Sequence, residues 1–142
     1  MPVSRRLQEV RVKDVLELEV RPYECDSYGH VNHSVYVNYL EYARLKWLHA
    51  AGWNYEGLLA AGYFTYITGL EIRYRAQARC GDVLRIESEP SELRRVSGSV
   101  RQVIYHGETV VVEATVHWCL ADSRGRPSRP PEGFDLGALG PS

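Results

Sequence analysis

A chain of 142 residues is long enough for one hydrophobic core and too short for two ordinary domains. With 44% hydrophobic and 25% charged residues, its make-up is that of a globular protein and excludes a disordered or fibrous chain. A net charge of -1 gives no general affinity for nucleic acid or anionic membrane, and no apolar run of about 18 residues is present to span a bilayer.

Residues 14–21 alternate, with Leu16, Leu18 and Val20 set against Glu17, Glu19 and Arg21. This is the period of a half-buried strand, which Pro22 ends. A polar loop follows, and Gly29 supplies its backbone freedom. The spacing then predicts one long helix over 34–51, in which Tyr36, Tyr39, Leu40, Ala43, Trp47 and Leu48 form an apolar stripe. Asn32 or Ser34 is its candidate cap, Glu41 and Arg44 are spaced as an i,i+3 pair, and Gly52 is the stop signal. A shorter helical turn over 55–60 ends before Gly62.

From there the pattern is strands. Phe64, Tyr66, Thr68, Leu70, Ile72 and Tyr74 alternate along a candidate strand, and Cys80-Gly81-Asp82 reads as a turn. A third strand spans 83–89 and is interrupted by Pro90; a fourth spans 97–105. His106-Gly107 marks a tight hairpin, because glycine takes the positive φ that a two-residue turn demands. The fifth strand, 109–120, directs Val110, Val112, Ala114, Val116, Trp118 and Leu120 one way. Beyond Ala121 the sequence becomes polar and rich in proline and glycine. The expected division is therefore a domain over 1–121 and an extended tail over 122–142. The tail arginines are able to reach a ligand phosphate, and a solvated tail is the competing reading.

The order strand, helix, four strands implies an α+β domain with one antiparallel sheet and a single long helix on it. The helix covers one face only, and Ile67, Val103 and Val111 remain on the opposite faces. That excess implies a partner copy, most simply a dimer.

Three cysteines, Cys25, Cys80 and Cys119, lack CxxC spacing, which argues against a zinc site or redox dithiol and fits a reducing compartment. Residues 1–12 contain Arg5, Arg6 and Arg11 but no apolar stretch of signal-peptide length, so a cytoplasmic location is expected. His49, His106 and His117 have no ligand-like spacing, and no metal or organic cofactor is expected. Cys25 adjoins Asp26 but has no neighbouring base to activate it, and reads as an inert small side chain.

The informative stretch is Asp26 to Asn32 with a helix start behind it. Free N–H groups at a helix N-terminus favour a polarised oxygen, and a thioester carbonyl develops an oxyanion during hydrolysis. Asp26 has the chemistry to attack such a carbonyl or to take a proton from water, and His33 lies seven residues on. The same residues also suit an ordinary cap and surface turn.

The run Tyr23-Glu24-Cys25-Asp26-Ser27-Tyr28-Gly29-His30-Val31-Asn32-His33-Ser34-Val35-Tyr36-Val37-Asn38-Tyr39-Leu40-Glu41-Tyr42-Ala43-Arg44 resembles the signature of hotdog-fold acyl-CoA thioesterases. It is most similar to the 4-hydroxybenzoyl-CoA thioesterase group and the thioesterases associated with the Tol-Pal system. The shared pattern is an aspartate, a glycine three later, His-Val-Asn, then tyrosines and an Ala-Arg pair, and the resemblance extends over about 15–120. It implies a hotdog fold, a five-stranded antiparallel sheet wrapped around one long helix, working as a homodimer or homotetramer on acyl-CoA. It implies Asp26 as catalytic nucleophile or general base, and His33 as a catalytic assistant through its imidazole or its main-chain N–H. Gly29 and Asn32 would shape the loop, and Tyr36 would sit near the acyl group. Glu24 stands where some members have a second aspartate. Arg94, Arg95 and Ser97 resemble the region that meets the CoA phosphates, with a solvated hairpin end as the alternative. Two rival activities remain: a hotdog hydratase or dehydratase on acyl thioesters, and a non-catalytic acyl-CoA binder.

Overall fold

A computed structural model describes residues 13–141. The expected absence of a leader in residues 1–12 lies outside them. Strand β1 (Asp14–Glu19) leads through a 3-10 turn (Pro22–Glu24) to helix α1 (His33–Ala50) and a short helix α2 (Tyr55–Ala60). Strands β2 (Tyr63–Tyr74), β3 (Val83–Leu93), β4 (Ser97–His106) and β5 (Thr109–Asp122) follow. All pair antiparallel in one sheet of order β1-β3-β4-β5-β2, so the strand after the helices lies at the edge opposite β1.

Helix α1 begins where Asn32 caps it, the Asn32 Oδ1 accepting from Ser34 N at 3.0 Å. It ends at Ala51, where Gly52 takes φ +85°, a left-handed conformation that costs glycine little. The expected apolar stripe is the buried one: Tyr36, Tyr39, Leu40, Ala43 and Trp47 all pack inward. Tyr36, Tyr39, Leu40 and Ala43 meet Leu84, Ile86, Ile104, Val112 and Ala114 from the sheet. A second cluster gathers Trp47, Trp53, Leu58, Val100, Trp118, Leu120 and Leu139.

One polar group is built into the helix–sheet interface. Gln102 is fully buried; its Nε2 donates to Leu40 O at 3.0 Å and to Ser88 Oγ at 2.9 Å, and its Oε1 accepts from Arg44 at 3.1 Å. The Arg44 hydrogen bond thus runs across the interface rather than to Glu41, whose charge still acts on it, and burial lowers the Arg44 pKa. A buried amide with both N–H groups and its oxygen engaged holds the helix at one register over the sheet.

Three irregularities shift side chains from the faces that simple alternation assigns. A bulge between Ile67 and Gly69 pairs Phe64 and Tyr66 with Ala121 and Cys119, whereas Leu70, Ile72 and Tyr74 pair with Val116, Ala114 and Val112 on the helix side. The six residues expected on one face are thus divided between two. A second irregularity, between Pro90 and Glu92, lets β3 continue to Leu93 past a proline that lacks an N–H. A third, between Ile104 and Tyr105, turns Val111 into the core, 1% exposed, contrary to its expected outward position. The β4–β5 turn is Gly107-Glu108, with Gly107 at φ +60°.

The segment after β5 folds back rather than extending into solvent. Asp122 N donates to Arg126 O, Ser128 N to Leu120 O, and Trp53 Nε1 to Asp135 O at 2.9 Å. Phe134 meets the Trp53 ring edge-on at 5.3 Å, and Leu139 is fully buried. Apolar anchors spaced through the polar segment are what hold it down.

Candidate active site

The loop between β1 and α1 is a small closed unit. Glu24 at its entrance is buried, and its carboxylate accepts from Arg21 N, Arg21 Nε and Nη2, and the Tyr39 hydroxyl at 2.8–3.2 Å. Burial pushes the Glu24 carboxyl up, but Arg21 and Tyr39 outweigh it and hold the group below the usual range. The same burial and the Glu24 contact push the Tyr39 phenol up. Glu24 thus serves as the anchor between loop and helix. Beyond it Cys25 bridges to Val31, Asp26 N donates to His30 O at 2.7 Å, and Asn32 N donates to Glu24 O at 3.0 Å. Burial raises the Cys25 thiol pKa, consistent with an inert side chain.

Asp26 occupies the exposed tip of this hairpin. Its Oδ1 accepts from Tyr28 N at 2.9 Å and His30 N at 3.1 Å, while Oδ2 has no hydrogen-bond partner among the described residues. Two main-chain donors therefore fix the carboxylate and leave one oxygen for chemistry. Gly29 sits at φ +79° with open space around it, so the backbone angle and not crowding demands glycine.

His33 is the first residue of α1, and no described protein group accepts from its main-chain N–H. Its carbonyl accepts from the Tyr74 hydroxyl at 3.1 Å, and the two rings meet edge-on at 6.5 Å. Tyr74, half-exposed on β2, thus ties the helix start to the edge strand; only the register of β2 reveals that role. Tyr36, expected near an acyl group, is buried, and its hydroxyl accepts from Ala78 N at 3.0 Å. Val31 N donates to Ala78 O at 2.9 Å, so Tyr36 and the loop clasp the same segment. Asp26, Gly29, Asn32 and His33 are accordingly brought together on one rigid loop and helix start.

Arg94 and Arg95 lie in the β3–β4 connection instead, and Ser97 opens β4. Arg94 and Ser97 line a cavity of about 250 Å³ with Thr68, Ser99 and His117. Here the structure joins three residues that the sequence leaves apart. Ser99 Oγ lies 2.6 Å from His117 Nδ1, and His117 Nε2 lies 2.7 Å from Glu71 Oε1. In the neutral imidazole, an Nε2–H donating to the Glu71 carboxylate leaves Nδ1 to accept from the serine hydroxyl. Gly69, directly across from His117, makes room: a Cβ there would stand 3.2 Å from His117 Cδ2. Among the described residues no group of three or more His, Cys, Asp or Glu side chains is placed to hold a metal ion, and no helix is long and apolar enough to cross a membrane.

A family model described as the thioesterase-like superfamily matches residues 20–136, from the end of β1 into the segment after β5. The chain belongs to the thioesterase-like superfamily. Its architecture is the hotdog fold of that superfamily, as the loop motif leads one to expect. Among superfamily relatives, the chloroplastic acyl-acyl carrier protein thioesterase ATL3 of Arabidopsis thaliana is 29% identical, over 82% of this chain and 62% of its own length. The long-chain acyl-CoA thioesterase FadM of Escherichia coli (strain K12) is 33% identical over 62% of this chain and 66% of its own. The chain thus spans a little under two thirds of the length of these relatives. A crystal structure of a probable thioesterase from Bartonella henselae superposes with a TM-score of 0.79 at 28% identity, covering 84% of this chain and 99% of that one.

Proposed function

We propose that this chain hydrolyses acyl-CoA thioesters to the free acid and CoA, with Asp26 as nucleophile or general base. Kinship with the 4-hydroxybenzoyl-CoA and Tol-Pal-associated thioesterases within the superfamily is part of this reading. The observation that carries it is the pairing of a carboxylate held by two main-chain donors with an unclaimed N–H at the start of α1. That N–H, at the positive end of the helix, would donate to the thioester oxygen and gain strength as negative charge develops there. In the direct route an Asp26 oxygen attacks the carbonyl carbon, the C–S bond breaks, CoA leaves as thiolate, and water cleaves the resulting anhydride. In the water route Asp26 takes the proton of the water that attacks, and the thiolate leaves from the tetrahedral intermediate. Gly29 and Asn32 set the loop, and Tyr36 supports it from beneath. Arg94, Arg95 and Ser97 would meet CoA phosphates, for which guanidinium and hydroxyl donors are suited.

The working unit in this reading is a homodimer or homotetramer. Strand β2 is a 12-residue edge strand, and Ile67, Leu70 and Tyr74 on its helix side are 47%, 39% and 45% exposed. A long apolar edge invites a second copy. The test is thiol release from a panel of aliphatic and aromatic acyl-CoA esters, with light scattering on the same preparation. Turnover of at least one ester by a dimer or larger species is expected. A monomer, or binding of every ester without thiol release, would contradict the proposal.

A further inference from the structure

Neither the Asp26 loop nor the start of α1 makes use of the Ser99–His117–Glu71 chain, which stands on the other face of the sheet. Val100 and Gln102 of β4, Ala114 of β5 and Ile72 of β2 pack toward α1. Side chains alternate along a strand, so Ser99, His117 and Glu71, each an odd number of residues away, point from the helix. The group is therefore separate from the Asp26 carboxylate.

Its order is hydroxyl, imidazole, carboxylate, with contacts of 2.6 Å and 2.7 Å. This is the arrangement that activates a serine for acyl transfer, recognised by geometry and not by chain order. Ser99 is buried at 4% exposure, and the imidazole is its hydrogen-bond partner, so the oxygen lone pairs stay unclaimed among the described residues. The ring lies across Gly69, where a larger residue would crowd it. Glu71 is exposed and screened by water, so its task is to fix the ring rather than to shift its basicity strongly.

Ser99 and His117 open onto the hollow of about 250 Å³. That volume lies below the roughly 300–1,000 Å³ of sites for drug-sized ligands, and suits a short acyl group with a small leaving group. Thr68, the residue that the β2 bulge skips in its pairing with β5, lines the same hollow. Its hydroxyl, that of Ser97 and the Arg94 guanidinium are the donors available to a carbonyl oxygen.

We propose that Ser99 is a second nucleophile, with His117 as its base and Glu71 as a positioning residue, and that this hollow hydrolyses short-chain carboxylic esters independently of Asp26. Ser99 Oγ attacks the ester carbonyl while its proton passes to His117 Nδ1. The C–O bond to the alcohol then breaks, and the leaving alkoxide takes that proton. Water attacks the acyl-serine, gives a proton to Nδ1, and the acid departs as Ser99 regains its hydrogen.

The probe is diisopropyl fluorophosphate, whose phosphorus takes the serine oxygen as fluoride leaves, read by intact mass and peptide mapping of the full-length protein. One group per chain is expected on Ser99, with the exposed Ser27 and Ser123 unmodified. His117→Gln should slow labelling about 100-fold, the lower end of what a general base contributes. In turnover of p-nitrophenyl butyrate, Glu71→Gln should lower kcat about tenfold with KM within twofold, since the amide still accepts from the ring but carries no charge. Thermal melts of both variants report on folding, and wild-type labelling needs no variant. An unlabelled wild type, a label on a different serine, or His117→Gln labelled as fast as wild type would each overturn the site. An unchanged kcat in Glu71→Gln would overturn the part given to that carboxylate. Labelling is independent of acyl-CoA turnover, so a failed thioesterase assay leaves this result legible, and a failed labelling leaves the Asp26 reading standing.

Discussion

Asp26→Asn is expected to lower kcat for acyl-CoA hydrolysis by a factor of about 100 or more, the scale of a lost nucleophile or general base. The substitution is chosen because asparagine keeps Oδ1. That oxygen can go on accepting from Tyr28 N and His30 N, so the hairpin tip, the turn at Gly29 and the helix start should hold their geometry. What is lost is the charge and the nucleophilicity of the carboxylate. Steady-state thiol release together with a thermal melt separates the two. A fall in kcat with the melting temperature within a few degrees of wild type supports the assignment. A variant that keeps more than half of wild-type kcat would exclude it.

Gly98→Ala is expected to destabilise the fold by about 2–3 kcal/mol, at the upper end of the usual cost of overpacking. A Cβ at Gly98 would stand 2.6 Å from Trp118 Cζ2 and 2.7 Å from Glu92 O. The tryptophan belongs to the second core cluster and is only 4% exposed, and the carbonyl is part of the β3–β4 pairing, so neither neighbour yields cheaply. For a domain of this size the melting temperature should fall by on the order of 5–10 °C. Gly57→Ala provides the contrast. Its nearest contacts lie at 3.7–3.8 Å and its φ is ordinary, so alanine there should be neutral or slightly stabilising. Equal melting temperatures for Gly98→Ala and wild type would mean that β4 and Trp118 do not pack as described.

The parts of the molecule that the sequence reveals are those fixed by neighbours along the chain. The apolar stripe of α1, the Asn32 cap and the Gly52 stop are local signals, and the structure realises each within a residue. The Asp26 loop is equally local: a carboxylate, a glycine three later and a helix cap three further on suffice to describe it. What stayed hidden depends on register. A period-two reading assumes constant phase, so the irregularities near residues 68, 91 and 111 were invisible, and with them the true faces of Phe64, Tyr66 and Val111. The Ser99–His117–Glu71 chain crosses three strands and exists only because β4, β5 and β2 align as they do. The folded-back segment looked solvated because its polar residues outnumber its anchors. Trp53, 82 positions away, is what receives it.

Tyr74 shows how these two kinds of information meet. Its hydroxyl fixes the carbonyl of His33, and its strand is the apolar sheet edge. A second copy docking on β2 would press directly against the residue that orients the helix start, so assembly and catalysis would share one contact.

The central question is whether the Asp26 carboxylate and the His33 amide address one carbonyl group. It is answered most directly by a crystal structure of the protein with a ketone analogue of an acyl-CoA, in which a methylene replaces the sulfur. The account predicts the ketone oxygen at about 2.7–3.1 Å from His33 N and an Asp26 oxygen, or a water bound to it, at about 3–3.5 Å from the ketone carbon. A ketone lodged elsewhere, with the helix start and Asp26 both facing bulk solvent, would contradict it.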